Sequence, residues 1–383
     1  MDLTEFNDIA PFNDEEASAA LYRLSNHPNV PWISRYLFPE QPDTFLRDIL
    51  RNIHSVDEFQ NVVMSQAIEW VITHTIHNFS YDGISKLQAL QGRQLFVSNH
   101  RDIILDPALM QIVLWRNKLP FTQIAVGDNL LTHKSVELLI RSNRMIKVIR
   151  GISARELYLS SQLLSRYIRE SITSGTSSVW IAQRQGRTKD GLDVTEQGLL
   201  KMFDMSGQGD FVQNFKELQL VPLSISYEYE PCDIFKAREL LISRTQKYVK
   251  GETEDLQSII TGIRQPKGDV HLNIGDPLTE EELVEASHCD KNDRYQAIRH
   301  AVDRRVISGY RLWKTNYMAY DILHPDAPYA KEYTPQQMTD FRAYIEGQLK
   351  LVEPTLDRDQ LRDILLHIYS NPVQAKLDMP TAE

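Results

Sequence analysis

The N-terminal part of the chain repeats apolar residues at helical intervals. Residues 14–78 carry this pattern, and within 57–77 the positions Phe59, Val62, Val63, Ala67, Trp70 and Val71 share one face, as a helix with one buried stripe requires. Asp82-Gly83 and Gly92 interrupt residues 78–92 with turn signals. From residue 93 the period changes. Short apolar runs of strand length at 94–98, 121–126, 145–150, 178–183, 219–229 and 270–274 alternate with helical stretches at 107–117, 133–142 and 154–174. Gly175 is placed to end the last of these as a left-handed cap. This alternation predicts an α/β fold with a largely parallel sheet flanked by helices. The expected organisation is a helical N-terminal region over 1–80, an α/β domain over 81–280 and a helical C-terminal extension over 281–383. In that extension 290–323 is the strongest helical segment, and 371–383, with Pro372 and Pro380, reads as a loose tail.

Composition narrows the class. With 383 residues, 42% of them hydrophobic and 25% charged, the chain can bury a sizeable core in one large domain or two. The balance of 42 Lys+Arg against 52 Asp+Glu gives a net charge of −10, which excludes a general nucleic-acid binder. Two cysteines exclude a disulfide framework and fit a reducing compartment. No window approaches the ~20 apolar residues of a spanning helix; the best run, 103–115, contains Asp106 and Pro107. The opening Met1-Asp2-Leu3-Thr4-Glu5 lacks the basic and apolar regions of a signal peptide. The expectation is a cytoplasmic protein, soluble or peripheral on the cytoplasmic face of the inner membrane.

Three successive strands end in residues suited to holding a ligand. The run 94–98 leads into Asn99-His100-Arg101-Asp102-Ile103-Ile104-Leu105-Asp106-Pro107, placing His100 at the edge where open α/β sheets bind ligands. Asp106-Pro107 has the form of a helix start, with Asp as N-cap and Pro at the first helical position. An imidazole beside a carboxylate suits general-base work, because its ordinary pKa of about 6.5 lies near operating pH. Either Asp102 or Asp106 can be the partner. The competing reading is a capping Asp and an ordinary loop histidine. His100-Arg101-Asp102 also spells the start of a kinase catalytic loop, but the later Asn, the Asp-Phe-Gly and the Gly-rich loop are absent.

The run 145–150 ends in Arg150, with Gly151 allowing a sharp exit and Arg141, Arg144, Lys147 and Arg155 nearby. A guanidinium there can grip a phosphate bidentately; a solvated charged face is the alternative. The run 178–183 leads into Arg184-Gln185-Gly186-Arg187-Thr188-Lys189. Here Gly186 lets the backbone approach a ligand, and Arg187 with Lys189 offers cationic contacts. The run 219–229 contains Pro222, which marks an edge or a bulge.

In this order the four segments resemble the blocks of the glycerolipid acyltransferases, the superfamily of glycerol-3-phosphate and 1-acylglycerol-3-phosphate acyltransferases. Asn99-His100 with Asp106 resembles the first block, Met145 to Arg150 the second, Gln185-Gly186-Arg187 the third and Val221-Pro222 the fourth. The resemblance covers about residues 80–275 and is closest to bacterial members without a membrane helix. Three positions depart from the family's pattern. Five residues rather than four separate His100 from Asp106, Gln185 replaces a Glu, and Arg144 replaces a Gly that often begins the second block.

The resemblance implies transfer of a fatty acyl group from acyl-CoA or acyl carrier protein to a hydroxyl of glycerol phosphate or a lysophospholipid at a membrane surface. His100 would be the general base, Asp106 would orient it, and Arg150 and Arg187 would hold the acceptor's phosphate with Gly186 in the turn. Asn99, Asp102, Lys147, Gln185 and Lys189 are further candidates. No metal and no cofactor are implied. The alternatives are an acceptor without phosphate, or a non-catalytic lipid- or carrier-binding protein of the same fold.

Other features carry less. His74 and His77 stand at i and i+3 without evident further ligands. Cys232 and Cys289 lack metal or redox spacing, and Lys189-Asp190-Gly191-Leu192-Asp193 misses the EF-hand pattern. Tyr310, Trp313, Tyr317 and Tyr320 recur along one expected helix beside Arg304, Arg305, Arg311 and Lys314. That is a core stripe or, alternatively, a membrane-docking face.

Overall fold

The structure is a computed structural model that describes residues 4–131, 133–150 and 153–379. Its strands are β1 (Asn78–Asp82), β2 (Leu95–Ser98), β3 (Gln123–Gly127), β4 (Met145–Val148), β5 (Val179–Ala182), β6 (Leu220–Tyr227) and β7 (Asp269–Ile274). They form one sheet in the order β1-β7-β6-β2-β5-β3-β4. Strands β2 to β6 run parallel, β7 is antiparallel to β6, and β1 is parallel to β7. The protein is thus α/β with a mostly parallel sheet, flanked by helices on both faces.

The two faces follow from the alternation of side chains along each strand. Leu95, Val97, Val179 and Ile181 pack with Leu164 and Ile168 of the helix Ala154–Thr173 and with Ile298 and Val302 of the helix Asp293–Ser308. Phe96, Trp180 and Val221 face the other way, against Leu109 and Val113 of the helix Leu105–Arg116 and Val71 and Ile72 of the helix Ser65–Thr75. Because β2 is buried along its whole length, it reads as a continuous apolar run, as strands covered on both faces do. Gly175, at φ +75 just past the helix Ala154–Thr173, takes the left-handed position expected of it.

Four sequence expectations need correction. Residues 78–82, expected as part of a turn-rich break, form the edge strand β1; its alternation of Phe79 and Tyr81 with polar neighbours is the signal of a half-exposed strand. Pro222 lies in β6, which is central, with no edge or bulge there. It is tolerated because β7 ends at Ile274 opposite Leu223. Beyond that point the Pro222 carbonyl accepts from Gly275 N–H at 2.9 Å, so the missing donor faces past the end of the ladder. The segment 290–323 is two helices, Asp293–Ser308 and Lys314–Leu323, broken at Gly309. Residues 371–377 belong to the helix Arg358–Leu377, with Pro372 inside it and buried, rather than to a loose tail; Pro380 lies outside the described residues.

The C-terminal helices Lys314–Leu323, Pro335–Leu349 and Arg358–Leu377 share a core with the helix Asp233–Ser243 that follows β6. Their polar tie is Asp233, 1% exposed, which accepts from the Tyr344 and Tyr369 hydroxyls at 2.7 Å each. Burial pushes its pKa up to about 6 in spite of those bonds. A carboxyl raised in the folded state favours the fold below its unfolded pKa, and that contribution disappears as pH climbs through about 6. Asp233→Asn should therefore gain on the wild type between pH 4 and pH 7, by up to about 3 kcal/mol. Urea denaturation at pH 4, 5, 6 and 7 checks this; a wild-type-to-variant gap that does not change with pH contradicts it.

Candidate active site

β2 delivers its loop to the carboxyl edge of the parallel strands, and the histidine pairs there with Asp106. His100 Nδ1 lies 2.9 Å from Asp106 Oδ2, with the imidazole 15% exposed and the carboxylate fully buried. The same Oδ2 accepts from the backbone N–H of Arg101 at 2.5 Å and of Asp102 at 2.9 Å, and Oδ1 accepts from the Tyr227 hydroxyl at 2.8 Å. Every neighbour of this carboxylate is thus a donor. The proton between His100 and Asp106 belongs on Nδ1, and Nε2 keeps its lone pair. The His100 ring meets Trp180 edge-on at 6.1 Å.

Asp102 has a different task. Its Oδ1 accepts from the N–H groups of Ile104 and Leu105 at 2.9 and 2.8 Å, so Asp102, not Asp106, caps the helix Leu105–Arg116. Asp106-Pro107 lies inside the first turn, where the proline's missing donor is harmless. Burial and the neighbouring Asp106 charge push Asp102 above the usual carboxylate range.

Beneath the loop lies a buried charge cluster. Arg101, 4% exposed, donates to Asp193 Oδ2 at 2.7 Å and to Glu230 Oε2 at 3.3 Å. Lys236 Nζ donates to Glu230 Oε1 at 2.5 Å and to the Arg101 carbonyl at 2.7 Å. Asp193 also accepts from Asn99 at 2.8 Å, from Thr188 at 2.6 Å and from the Tyr310 hydroxyl at 2.5 Å. Burial alone would raise Asp193; the Arg101 charge and these bonds outweigh it and hold the carboxyl below its ordinary value. Asn99 further pins β6, donating to the Ile225 carbonyl at 3.0 Å and accepting from its N–H at 2.8 Å. Asn99 is therefore a brace for the loop that carries His100.

The other expected residues follow β5, next to β2, and β4, three strands from it at the border of the sheet. Arg150 follows β4 and is exposed. Its guanidinium lies over Gly127 at the end of β3, where a Cβ would stand 2.8 Å from Nη2 and 2.9 Å from Nε. Lys147 is on β4 itself and half-buried, while Arg144 is tied to Gln60 at 2.7 Å and to Asp57. Gly151 lies outside the described residues. Past β5, Gln185 is exposed and Gly186 has φ +73 with open space at its Cβ position. Arg187 Nη2 donates to Ser258 Oγ at 3.1 Å, and its Nη1 is buried without a hydrogen bond. Lys189 is engaged by Glu239.

A helix that the sequence did not single out crosses this edge. Glu254–Arg264 touches one strand exit after another. Asp255 accepts from Asn129 beyond β3 at 3.1 Å, Ser258 meets Arg187 beyond β5, and Gly262 meets Asp102 beyond β2. Gln265 accepts from Cys232 N–H beyond β6 at 3.0 Å. A Cβ on Gly262 would lie 2.1 Å from Asp102 Oδ2, so only glycine allows the approach. The sequence held no repeat or motif that marks this strap. Tyr227 was likewise missed, although it ends β6 on the carboxyl edge.

The remaining sequence candidates have other partners. His74 stacks on Trp70 at 4.1 Å, and His77 Nδ1 pairs with Asp269 at 2.6 Å. Tyr310 and Tyr320 are buried while Trp313 and Tyr317 are half-buried, and Tyr310 sits in the break between two helices, so the four do not form one helical stripe. Among the described residues no helix is long and apolar enough to cross a membrane. Compared with known proteins, the chain matches no family model and no curated relative.

The buried cluster makes a stability prediction that is separate from chemistry. Asp193→Ala leaves the Arg101 guanidinium short of its closest anion inside the protein, and it should lower the free energy of urea unfolding by about 3–5 kcal/mol. His100→Ala, which leaves Asp106 three of its four donors, should cost less, about 1–2 kcal/mol. Equal losses for both would contradict the division between scaffold and site.

Proposed function

We propose that the protein is a thioester-dependent O-acyltransferase that moves a fatty acyl group from acyl-CoA or acyl carrier protein to a hydroxyl of a glycerophosphate or lysophospholipid. The observation that carries this reading is His100 held by a buried Asp106 on the carboxyl edge, with Arg187 on the exit of the adjacent β5 and Arg150 on the exit of β4, whose guanidinium reaches over β3. Nε2 of His100 takes the proton of the acceptor hydroxyl, and the freed oxygen attacks the thioester carbonyl. The tetrahedral intermediate expels the thiolate, which receives the proton back from the imidazolium. Asp106 keeps the ring in the working tautomer and offsets its transient charge.

The spacing of the cations suits a phosphate acceptor. β3 lies two strand spacings from β2, about 10 Å, and the Arg150 guanidinium rests on β3. A phosphate between it and His100 stands within a glycerol backbone's reach of the reacting oxygen. The departures from the resembled family are compatible with the same role. Arg144, standing where the family has glycine, takes φ +58, the left-handed conformation that glycine adopts freely. The protein would act at the cytoplasmic face of the membrane, where such acceptors reside.

Thiol release from palmitoyl-CoA with lysophosphatidate and purified protein is the direct test. His100→Ala should lower kcat by about 10²–10⁴-fold or more in protein that circular dichroism shows to be folded. Arg150→Ala should raise the acceptor KM by about 10- to 100-fold with a smaller effect on the donor KM. Wild-type protein that releases no thiol with any phosphate-bearing hydroxyl acceptor, or His100→Ala protein that turns over normally, overturns the proposal.

A further inference from the structure

The strap and the helix after β4 turn apolar side chains outward beside Arg150. On the strap Glu254–Arg264, Leu256 is 57% and Ile260 39% exposed, one turn apart on the face away from the sheet edge. On the helix Ala154–Thr173, the consecutive residues Leu157, Tyr158 and Leu159 are 51%, 53% and 52% exposed. A helix that packs on one face buries at least one residue in three, so three exposed apolar neighbours at its start serve no internal contact.

The two elements flank the same residues. Ser160 Oγ donates to the Ile149 carbonyl at 3.4 Å, next to Arg150. The Arg150 guanidinium lies over Gly127. Asn129, two residues on, bonds Asp255 of the strap at 3.1 Å, and Leu256 follows directly. The apolar side chains therefore bracket the cation assigned above to the acceptor phosphate.

Charge favours one kind of occupant. The protein carries −10 overall, yet residues 128–160 hold six lysines and arginines against three acidic residues. Arg150 and Arg155 are exposed beside the apolar set. The acidic groups at this rim are engaged locally: Asp255 holds Lys250 and Asn129, Glu156 closes a capping box with Ser153, Glu254 accepts from Gly251 N–H, and Asp128 accepts from the Arg150 N–H. Protruding leucines with a tyrosine and free cations match the boundary layer of an anionic bilayer, where acyl chains receive the leucines and headgroups meet the arginines.

We infer that the outer face of the strap Glu254–Arg264 and the first turn of the helix Ala154–Thr173 together dock the protein on an anionic lipid surface. The inference rests on the lipid-acceptor reading above, and docking would present Arg150 to headgroups. Sedimentation of the full chain with vesicles tests it in the absence of any substrate. Wild-type protein should pellet with equimolar phosphatidylglycerol–phosphatidylcholine vesicles and remain in solution with phosphatidylcholine alone. Leu157→Ser/Leu159→Ser and Leu256→Ser/Ile260→Ser should each weaken binding about tenfold, and Arg155→Glu should do so at low salt. Leu351→Ser, equally exposed but elsewhere, should have no effect. Circular dichroism confirms that each variant is folded.

Wild-type protein that ignores anionic vesicles, or apolar variants that bind as wild type, overturns the inference. So does light scattering that finds a dimer dissolved by these substitutions, which assigns the face to a second copy. Binding of acyl carrier protein abolished by the same substitutions, with vesicle binding intact, assigns it to that carrier and also overturns the inference. Thiol release with glycerol 3-phosphate, an acceptor free in solution, reports on the acyltransferase reading separately from docking.

Discussion

The structure at the sheet's carboxyl edge depends on satisfying one fully buried carboxylate. Asp106 has no water to share its charge, and an ion left unpaired inside a protein is expensive. Four donors surround it: a ring nitrogen, two backbone amides of the β2 loop and a phenol from β6. Each donor belongs to a different piece of chain or a different residue of the loop, so meeting the carboxylate's demand also fixes where those pieces stand. The His100 orientation is a consequence. The imidazole is held because its Nδ1–H completes the shell of an anion that the scaffold already requires.

The charge cluster below extends the same logic one layer deeper. Arg101 and Lys236 face Asp193 and Glu230, two cations and two anions with no excess of either sign. Burial of such a set is tolerable only when every polar atom also has hydrogen bonds. Asn99, Thr188 and Tyr310 supply them from β2, from the loop after β5 and from the C-terminal helices. These contacts knit the loops of β2 and β5 to the C-terminal extension.

Much of this was legible in the chain, and the failures have physical reasons. The apolar runs of β2, β5 and β6 stood out because central parallel strands are buried on both faces. β1 did not, since an edge strand with one wet side offers only Phe79 and Tyr81 as signal. Pro222 misled because its tolerance depends on where another strand stops, 50 residues away in sequence. The His–Asp pair was readable as local chemistry, but the choice between Asp102 and Asp106 was not. Both carboxylates are near His100 in sequence, and only the cap made by Asp102 and the phenol of Tyr227 separate their tasks. The strap was invisible for a different reason. Its contacts use a serine, a glycine and the two amide or carboxylate ends of Gln265 and Asp255, residues whose roles arise from close approach rather than from reactivity.

The spacing of those contacts is itself an argument about function. Asp255, Ser258, Gly262 and Gln265 follow the i, i+3, i+7, i+10 rule of one helix face, and they meet the exits of β3, β5, β2 and β6 in the sheet's own order. Ten residues of helix rise about 15 Å, and three strand spacings come to about 14 Å. A helix of this length laid across the strands therefore registers one side chain with each exit. Small or polar residues are needed on that face because the loops come so close, and two of the strap's four large apolar residues, Leu256 and Ile260, lie on the opposite side. The strap thus has an inner face fitted to the His100 loop and an outer face on which Leu256 and Ile260 stay exposed.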